Sequence, residues 1–407
     1  MKGFWSKLGH KFLSTLEYGN LEVHYPHGEV KHYGDGNGYH VSLHLHKSQF
    51  FKRLSFFGDI GFAESYMDGD FDCDNLGDLI EIALINSHKL GIKSEDYSKN
   101  RFSNLLPNFN RIKHLLRKNS KTKAQKNIAE HYDLSNDFFM LMLDKSMMYS
   151  SAVFADKNES LYDAQMRKIK LLAQKLNVKN GSKVLEIGSG WGAMAIYLAK
   201  ELECEVTTVT LSKEQKELCH KRFKEEDVDE NIKILLKDYR DLEGQFDAII
   251  SVEMFEAVGS EYFDIFFKQC QSLLKPEGVL VMQVITIADQ RYAAYSKSTD
   301  FIQKYIFPGG HLPSVSKVLQ VTSEHTRFNL LHLEDFTEDY AKTLHIWDEN
   351  FTKNLLHVKA LGFDEYFIRM WKMYLKYCEA GFITRNIGVM QFVFTQDQNM
   401  NLNKGLL

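Results

Sequence analysis

Residues 183–192, Lys-Val-Leu-Glu-Ile-Gly-Ser-Gly-Trp-Gly, constrain the fold of this chain more than any other stretch. An apolar run (Val184, Leu185, Ile187) breaks into glycines at alternate positions (Gly188, Gly190, Gly192), and a helix-like segment, Ala193 to Lys200, follows at once. A buried strand, a turn without side chains and a helix N-terminus together let a ligand lie against bare backbone. The spacing departs from the G-x-G-x-x-G of dinucleotide sites, and Glu186 sits inside the strand, ahead of the first glycine. Strand-Glu-x-Gly-x-Gly is typical of S-adenosylmethionine (SAM) sites. A plain strand-helix turn can carry the same glycines.

The surroundings of this turn fix the fold class. Strands are expected at 183–188, 205–210, 231–236, 246–252, 278–287, 328–333 and 387–396. Helical patterns lie between most of them, at 192–202, 213–226, 260–274, 314–326 and over a long region, 338–380. This alternation predicts an open, mostly parallel, doubly wound α/β sheet, with ligands at the carboxyl ends of its strands. Ahead of it, residues 20–46 read as strands of a small sheet, with helical patterns near 48–57 and 75–88. Residues 91–126 are polar and basic, with Arg111, Lys113, Arg117, Lys118, Lys121, Lys123 and Lys126 close together. The expected organisation is a small α+β N-terminal domain (1–112), a basic linker (113–127) and a large domain (128–407). The basic run is either a solvated linker or an attraction to anionic phospholipid headgroups, worth about 1 kcal/mol per residue near such a surface.

Composition excludes several function classes. The net charge of −4 gives no global drive toward nucleic acid. The five cysteines (Cys73, Cys204, Cys219, Cys270, Cys378) form no CxxC pair, which argues against a zinc site or a disulfide frame. No apolar run approaches the ~18 residues needed to span a bilayer, and residues 1–16 lack the pattern of a signal peptide. A cytoplasmic protein is expected, one that still touches a membrane surface.

Three strand ends carry candidate chemistry. After the second strand, where many nucleotide folds place an acid, the chain has Thr210-Leu211-Ser212-Lys213-Glu214-Gln215. Thr210 and Gln215 offer hydrogen bonds in its place. After the third strand, Asp238 is suited to accept from an adenine amino group and Tyr239 to flank the ring. After the fourth comes Ser251-Val252-Glu253-Met254-Phe255-Glu256, whose carboxylates would face the cleft between cofactor and substrate.

These pieces, in this order, resemble the cyclopropane fatty acid synthase family of SAM-dependent methyltransferases. The resemblance includes His131-Tyr132-Asp133-Leu134-Ser135-Asn136, Tyr149-Ser150-Ser151-Ala152, the glycine motif, Asp238-Tyr239-Arg240-Asp241 and Met254-Phe255-Glu256. It continues through Phe307-Pro308-Gly309-Gly310-His311, Asp339-Tyr340 and Cys378, and Gly61-Phe62-Ala63-Glu64-Ser65-Tyr66 extends it into the N-terminal region. It implies a class I SAM-dependent methyltransferase fold: a Rossmann-like seven-strand sheet, its last strand antiparallel, plus the small N-terminal domain. It implies Tyr149, Ser150, Gly188, Gly190, Thr210, Leu211, Gln215, Tyr239 and Arg240 as the residues that hold SAM. It also implies a homodimer at the inner face of the membrane, acting on a cis-unsaturated phospholipid acyl chain, with Cys378 as a buried packing residue. No metal is expected.

Methyl transfer to an alkene leaves a carbocation, which aromatic faces stabilise by roughly 0.5–2 kcal/mol each. Tyr340, Phe255, Tyr305 and Trp347 are the candidates. A base must then remove a proton. In the family a bound bicarbonate does so, held by a Cys, a Glu, a His and a Tyr. This chain keeps Glu256 and Tyr340 at those places but has Ser151 for the Cys and Gln283 for the His. Bicarbonate is not excluded; Glu256 itself, His311 or a water are the other bases. The expected catalytic set is therefore Glu256, Tyr340, Ser151, Gln283 and His311. The product is a cyclopropane, a methylene or a methyl-branched chain. Two other readings stay open: a same-fold methyltransferase of a soluble amine, and a lipid-binding relative without catalysis.

Overall fold

The computed structural model describes residues 4–89, 134–397 and 399. They fall into two compact units. The basic linker at 113–127 and the His131-Tyr132-Asp133 motif lie outside the described residues.

The first unit holds a four-stranded sheet: β1 (Asn20–His24), β2 (Val30–Tyr33), β3 (His40–Leu45) and β4 (Phe71–Cys73), in the order β2-β1-β3-β4. Strand β1 alternates between buried and half-buried residues, placing Leu21 and Val23 against the core. Helices Phe4–Leu13, Phe50–Met67 and Leu76–Lys89 accompany the sheet. Two later stretches, Ala293–Ile306 and Leu355–Asn386, also belong to this unit. Polar contacts tie them to it. Glu64 accepts from Lys304 Nζ at 2.6 Å and Tyr305 Oη at 2.7 Å, and Asp59 accepts from the Phe301 amide and Tyr377 Oη, both at 3.2 Å. The sequence had placed both stretches in the large domain, because contacts between segments far apart in the chain leave no local signal.

The second unit is built on a seven-stranded sheet: β5 (Lys183–Ile187), β6 (Glu205–Thr210), β7 (Ile232–Leu236), β8 (Phe246–Val252), β9 (Leu274–Ile287), β10 (Phe328–Asp335) and β11 (Ile387–Gln396). Its order is β10-β11-β9-β8-β5-β6-β7. Strands β7, β6, β5, β8 and β9 pair in parallel, and β11 runs antiparallel to both neighbours. This is the expected α/β class, with its last strand reversed. Both faces are covered: Leu185, Ile187 and Ile249 pack into one apolar layer, Val184, Ala248 and Ile250 into the other. Such two-sided burial explains why these strands read as continuous apolar runs. The long helical region expected over 338–380 is three helices, Thr337–Lys353, Leu355–Ala360 and Glu365–Ile383.

One buried acid breaks the apolar pattern. Glu186 on β5 accepts a hydrogen bond from Thr208 on β6, and burial pushes its carboxyl up to about 8. A folded-state value above the ordinary 4.5 means that the native chain holds a proton the unfolded chain has lost. Its stabilising share is complete below about pH 4.5 and disappears as pH rises through about 8. Glu186→Gln has no such proton to lose. Between pH 5 and 8, wild-type stability should therefore fall relative to this variant by on the order of 2–4 kcal/mol. Thermal unfolding at both pH values checks this; parallel pH dependences would refute it.

Candidate active site

The glycine turn joins β5 to helix Ala193–Leu202. The Gly188 and Ser189 amides both donate to the Val209 carbonyl, at 3.1 and 2.9 Å, which pins the turn to β6. The glycines serve different needs. All three have left-handed φ: +100° at Gly188, +48° at Gly190 and +87° at Gly192. A Cβ on Gly192 would lie 2.5 Å from the Phe223 ring, and one on Gly188 3.1 Å from Met254. A Cβ on Gly190 would meet no heavy atom within 4 Å. The face above Gly190 thus has the room that a ligand pressed against the turn requires.

Around the turn, the expected cofactor residues are placed as follows. Thr210, at the end of β6, donates to Gln215 Oε1 at 2.7 Å and accepts from the Ser212 amide. Ser212 caps helix Lys213–Glu225, so Thr210, Leu211 and Gln215 form one cap at the carboxyl end of the sheet. Asp238 is bridged by Arg240 through Nε at 2.8 Å and Nη2 at 2.6 Å. The acid expected to receive an adenine amino group is therefore already paired with Arg240. The buried Tyr239 hydroxyl has no protein partner among the described residues. Tyr149 packs between Phe139 and Trp347, each ring centroid 5.2 Å away. The contacts extend to Trp191 beside Phe139 and to Tyr340 beside Trp347. A continuous series of five rings therefore leads from the glycine turn to Tyr340.

Tyr340 ends on a carboxylate, which is Glu253 and not Glu256. Tyr340 Oη donates to Glu253 Oε2 at 2.6 Å. The Ser151 amide and Gln283 Nε2 donate to Oε1 at 2.9 and 2.8 Å. Glu253 follows the last residue of β8 with φ +49°, a conformation disfavoured for a side-chain-bearing residue. Its own amide donates to the Gln283 carbonyl at 2.7 Å, which holds the backbone there. Burial raises its pKa above the usual carboxylate range, while Tyr340, Lys168, Gln283 and Ser151 favour the ionised form. The residue as a whole is half-buried. Lys168, fully buried on helix Leu161–Lys175, donates to Ser150 Oγ at 2.6 Å.

Glu256 sits apart from this cluster. Its Oε1 accepts from the Ile285 amide, its Oε2 has no partner among the described residues, and burial and then Glu253 push it up to about 8. None of Ser151, Gln283 and Tyr340, which donate to Glu253, donates to it. His311 meets Glu256 through the backbone, its amide donating to the Glu256 carbonyl at 2.8 Å. Of the five expected catalytic residues, Ser151, Gln283 and Tyr340 converge, and their focus is Glu253, which the expected set omitted. Phe255 lies fully buried among Phe263, Phe266 and Phe267, an apolar core position. Tyr305 belongs to the first unit. Among the described residues no cluster could hold a metal ion, and no helix is long and apolar enough to cross a membrane.

Comparison with known proteins bears on this geometry. Residues 119–392 match the family model described as mycolic acid cyclopropane synthetase, and residues 8–94 match one described as a domain of unknown function. The chain is 36% identical over 364 residues to the tuberculostearic acid methyltransferase of Mycobacterium tuberculosis, covering 88% of this chain and 83% of that protein. It is 38% identical over 363 residues to the cyclopropane-fatty-acyl-phospholipid synthase of Escherichia coli, covering 88% of each. In structure it is similar to a cyclopropane synthase from M. tuberculosis, with TM-score 0.63 and 31% identity over 67% of this chain and 98% of the other. A mycolic acid cyclopropane synthase complexed with SAH and CTAB gives the same values.

Proposed function

The chain belongs to the mycolic acid cyclopropane synthetase family and is a SAM-dependent methyltransferase of lipids, and from that premise we propose that it methylates the cis double bond of a phospholipid acyl chain, with the Glu253 carboxylate as the base. The sulfonium of bound SAM supplies a methyl group already activated for displacement. An alkene is a poor nucleophile, so the protein's share is to hold it in line and keep water away. Half-buried Tyr149 is an aromatic group suited to the carbocation that attack leaves on the chain, with the fully buried Trp347 packed behind it. Gly190 leaves the room for the cofactor.

The observation that carries this reading is the convergence of Ser151, Gln283 and Tyr340 on Glu253 within 2.9 Å. Ser151 and Gln283 are the positions where the family resemblance implies a Cys and a His around bicarbonate. Here the same neighbourhood holds a carboxylate of the chain itself, in reach of the same kind of donors. A tethered carboxylate needs no dissolved anion. Proton loss to Glu253 from the transferred methyl closes a ring; loss from a chain carbon beside the cation leaves a methylated alkene, and a hydride shift from the methyl-bearing carbon followed by loss from the methyl leaves a methylene branch.

Purified enzyme given methyl-labelled SAM and vesicles of cis-unsaturated phospholipid should place label in the acyl chains, with a mass gain of one CH₂. NMR of the extracted lipid distinguishes ring, methylene and methyl branch. Label that appears only in added soluble amines would sink the proposal. The reaction should also run at full rate in buffer stripped of bicarbonate.

A further inference from the structure

A polar row, buried at its two glutamines and open at its outer glutamate, connects Glu253 to the far edge of the sheet. Gln283 on β9 is the cross-strand partner of Gln391 on β11, and Gln391 is the partner of Glu334 on β10. Across the other edge of β9, Gln283 pairs with Val252, the residue before Glu253. One register row thus carries Glu334, Gln391 and Gln283, with Glu253 next to its end. Lys175, the last residue of helix Leu161–Lys175, lies over this row. Its Nζ donates to Glu334 Oε2 and Gln391 Oε1, both at 2.6 Å. Gln391 Nε2 donates to Gln283 Oε1 at 2.9 Å, and Gln283 Nε2 donates to Glu253 Oε1 at 2.8 Å. Gln391 and Gln283 are fully buried, so each amide must be satisfied within the row.

The ends dictate the direction. An ammonium only donates, so Gln391 must turn its oxygen to Lys175 and its NH₂ to Gln283. Gln283 must then accept with its oxygen, which leaves its NH₂ for Glu253 and the Ser151 carbonyl. The geometry points to Lys175 as a positioning residue: through two buried amides it fixes the donor that Gln283 presents to Glu253. This rests on the reading of Glu253 as the base. Lys175 touches no reacting atom and acts by orientation and by the polarity of the row.

The charged and titratable groups around Glu253 are Lys168 from the same helix as Lys175, Tyr340 from helix Thr337–Lys353, and Glu256 from the turn after β8. None of them is altered by a change at Lys175 or Gln391. Lys175→Met removes the ammonium that orients the row. Gln391→Glu keeps a partner for Lys175 but turns an acceptor toward Gln283, which drives Gln283 to reverse and face Glu253 with its oxygen.

The test is the titration of the Glu253 carboxyl by carbon-13 NMR in glutamate-labelled full-length protein, the resonance assigned by its disappearance in Glu253→Gln. Both variants should move the midpoint up by about 0.5–1 pH unit. Should Lys175→Met fail to fold, Gln391→Glu carries the test alone. Midpoints within about 0.2 unit of wild type in the folded variants would overturn the proposal. The pH profile of kcat on the same vesicles separates it from its premise. If the acid limb moves with the midpoint, both stand. A moved midpoint with an unmoved limb keeps the row and removes Glu253 as the base.

Discussion

Glu253→Gln is expected to lower turnover by about 10²- to 10⁴-fold, the usual range for loss of a general base, with SAM affinity unchanged within about threefold. The substitution is nearly isosteric and keeps oxygen and nitrogen within the reach of Ser151, Gln283 and Tyr340. What it removes is the basic carboxylate that takes the proton. Glu256→Gln should fall by less than about tenfold, because the donors Ser151, Gln283 and Tyr340 converge on Glu253 and Glu256 is held instead by the Ile285 amide. A complementary variant, Glu253→Ala, leaves the three donors without their acceptor. Added formate or bicarbonate should then restore part of the rate. Methyl transfer to vesicle lipid, with SAM affinity by calorimetry, reads all of this. A Glu253→Gln rate near wild type, or a larger loss in Glu256→Gln, would return the base to Glu256.

Why Glu256 stood out in the sequence and Glu253 did not is instructive. Motif reasoning assigns each residue a role one position at a time. It identified Ser151 and Gln283 as departures but had no way to see that both face one new partner. That partner follows β8 by a single residue, whereas Ser151 and Tyr340 lie about a hundred positions before and nearly ninety after it. The signal was present: two altered positions together with an extra acid three residues ahead of the expected one. The fold was more legible, because parallel strands buried on both faces write their apolar runs directly into the chain. The reversed direction of β11 and the packing of 355–386 with the first unit are set by contacts between distant segments, which local patterns do not encode. The row through Gln391 has the same character, since its members are neighbours only once the strand register is fixed.

Gly190→Val should weaken SAM binding by about 100-fold or more, a loss of ~2.7 kcal/mol, in a protein that still folds. The site of the added Cβ is open, so the only folding penalty is a β-branched residue at φ +48°, about 1–2 kcal/mol. The same open face is where a cofactor would lie against the turn, and a valine side chain fills it. Gly192→Val, two residues on, should behave in the opposite way. Its Cβ would stand 2.5 Å from the ring of Phe223, a buried core residue that cannot retreat without opening the packing around it. That variant should lose stability first, and SAM affinity only as a consequence. The pair therefore separates a glycine required by the ligand from a glycine required by the fold. Calorimetric SAM binding alongside thermal unfolding tells them apart. Near-normal affinity in a folded Gly190→Val protein would move the cofactor off the turn, and with it the path of aromatic rings that leads from the turn to Tyr340 and Glu253.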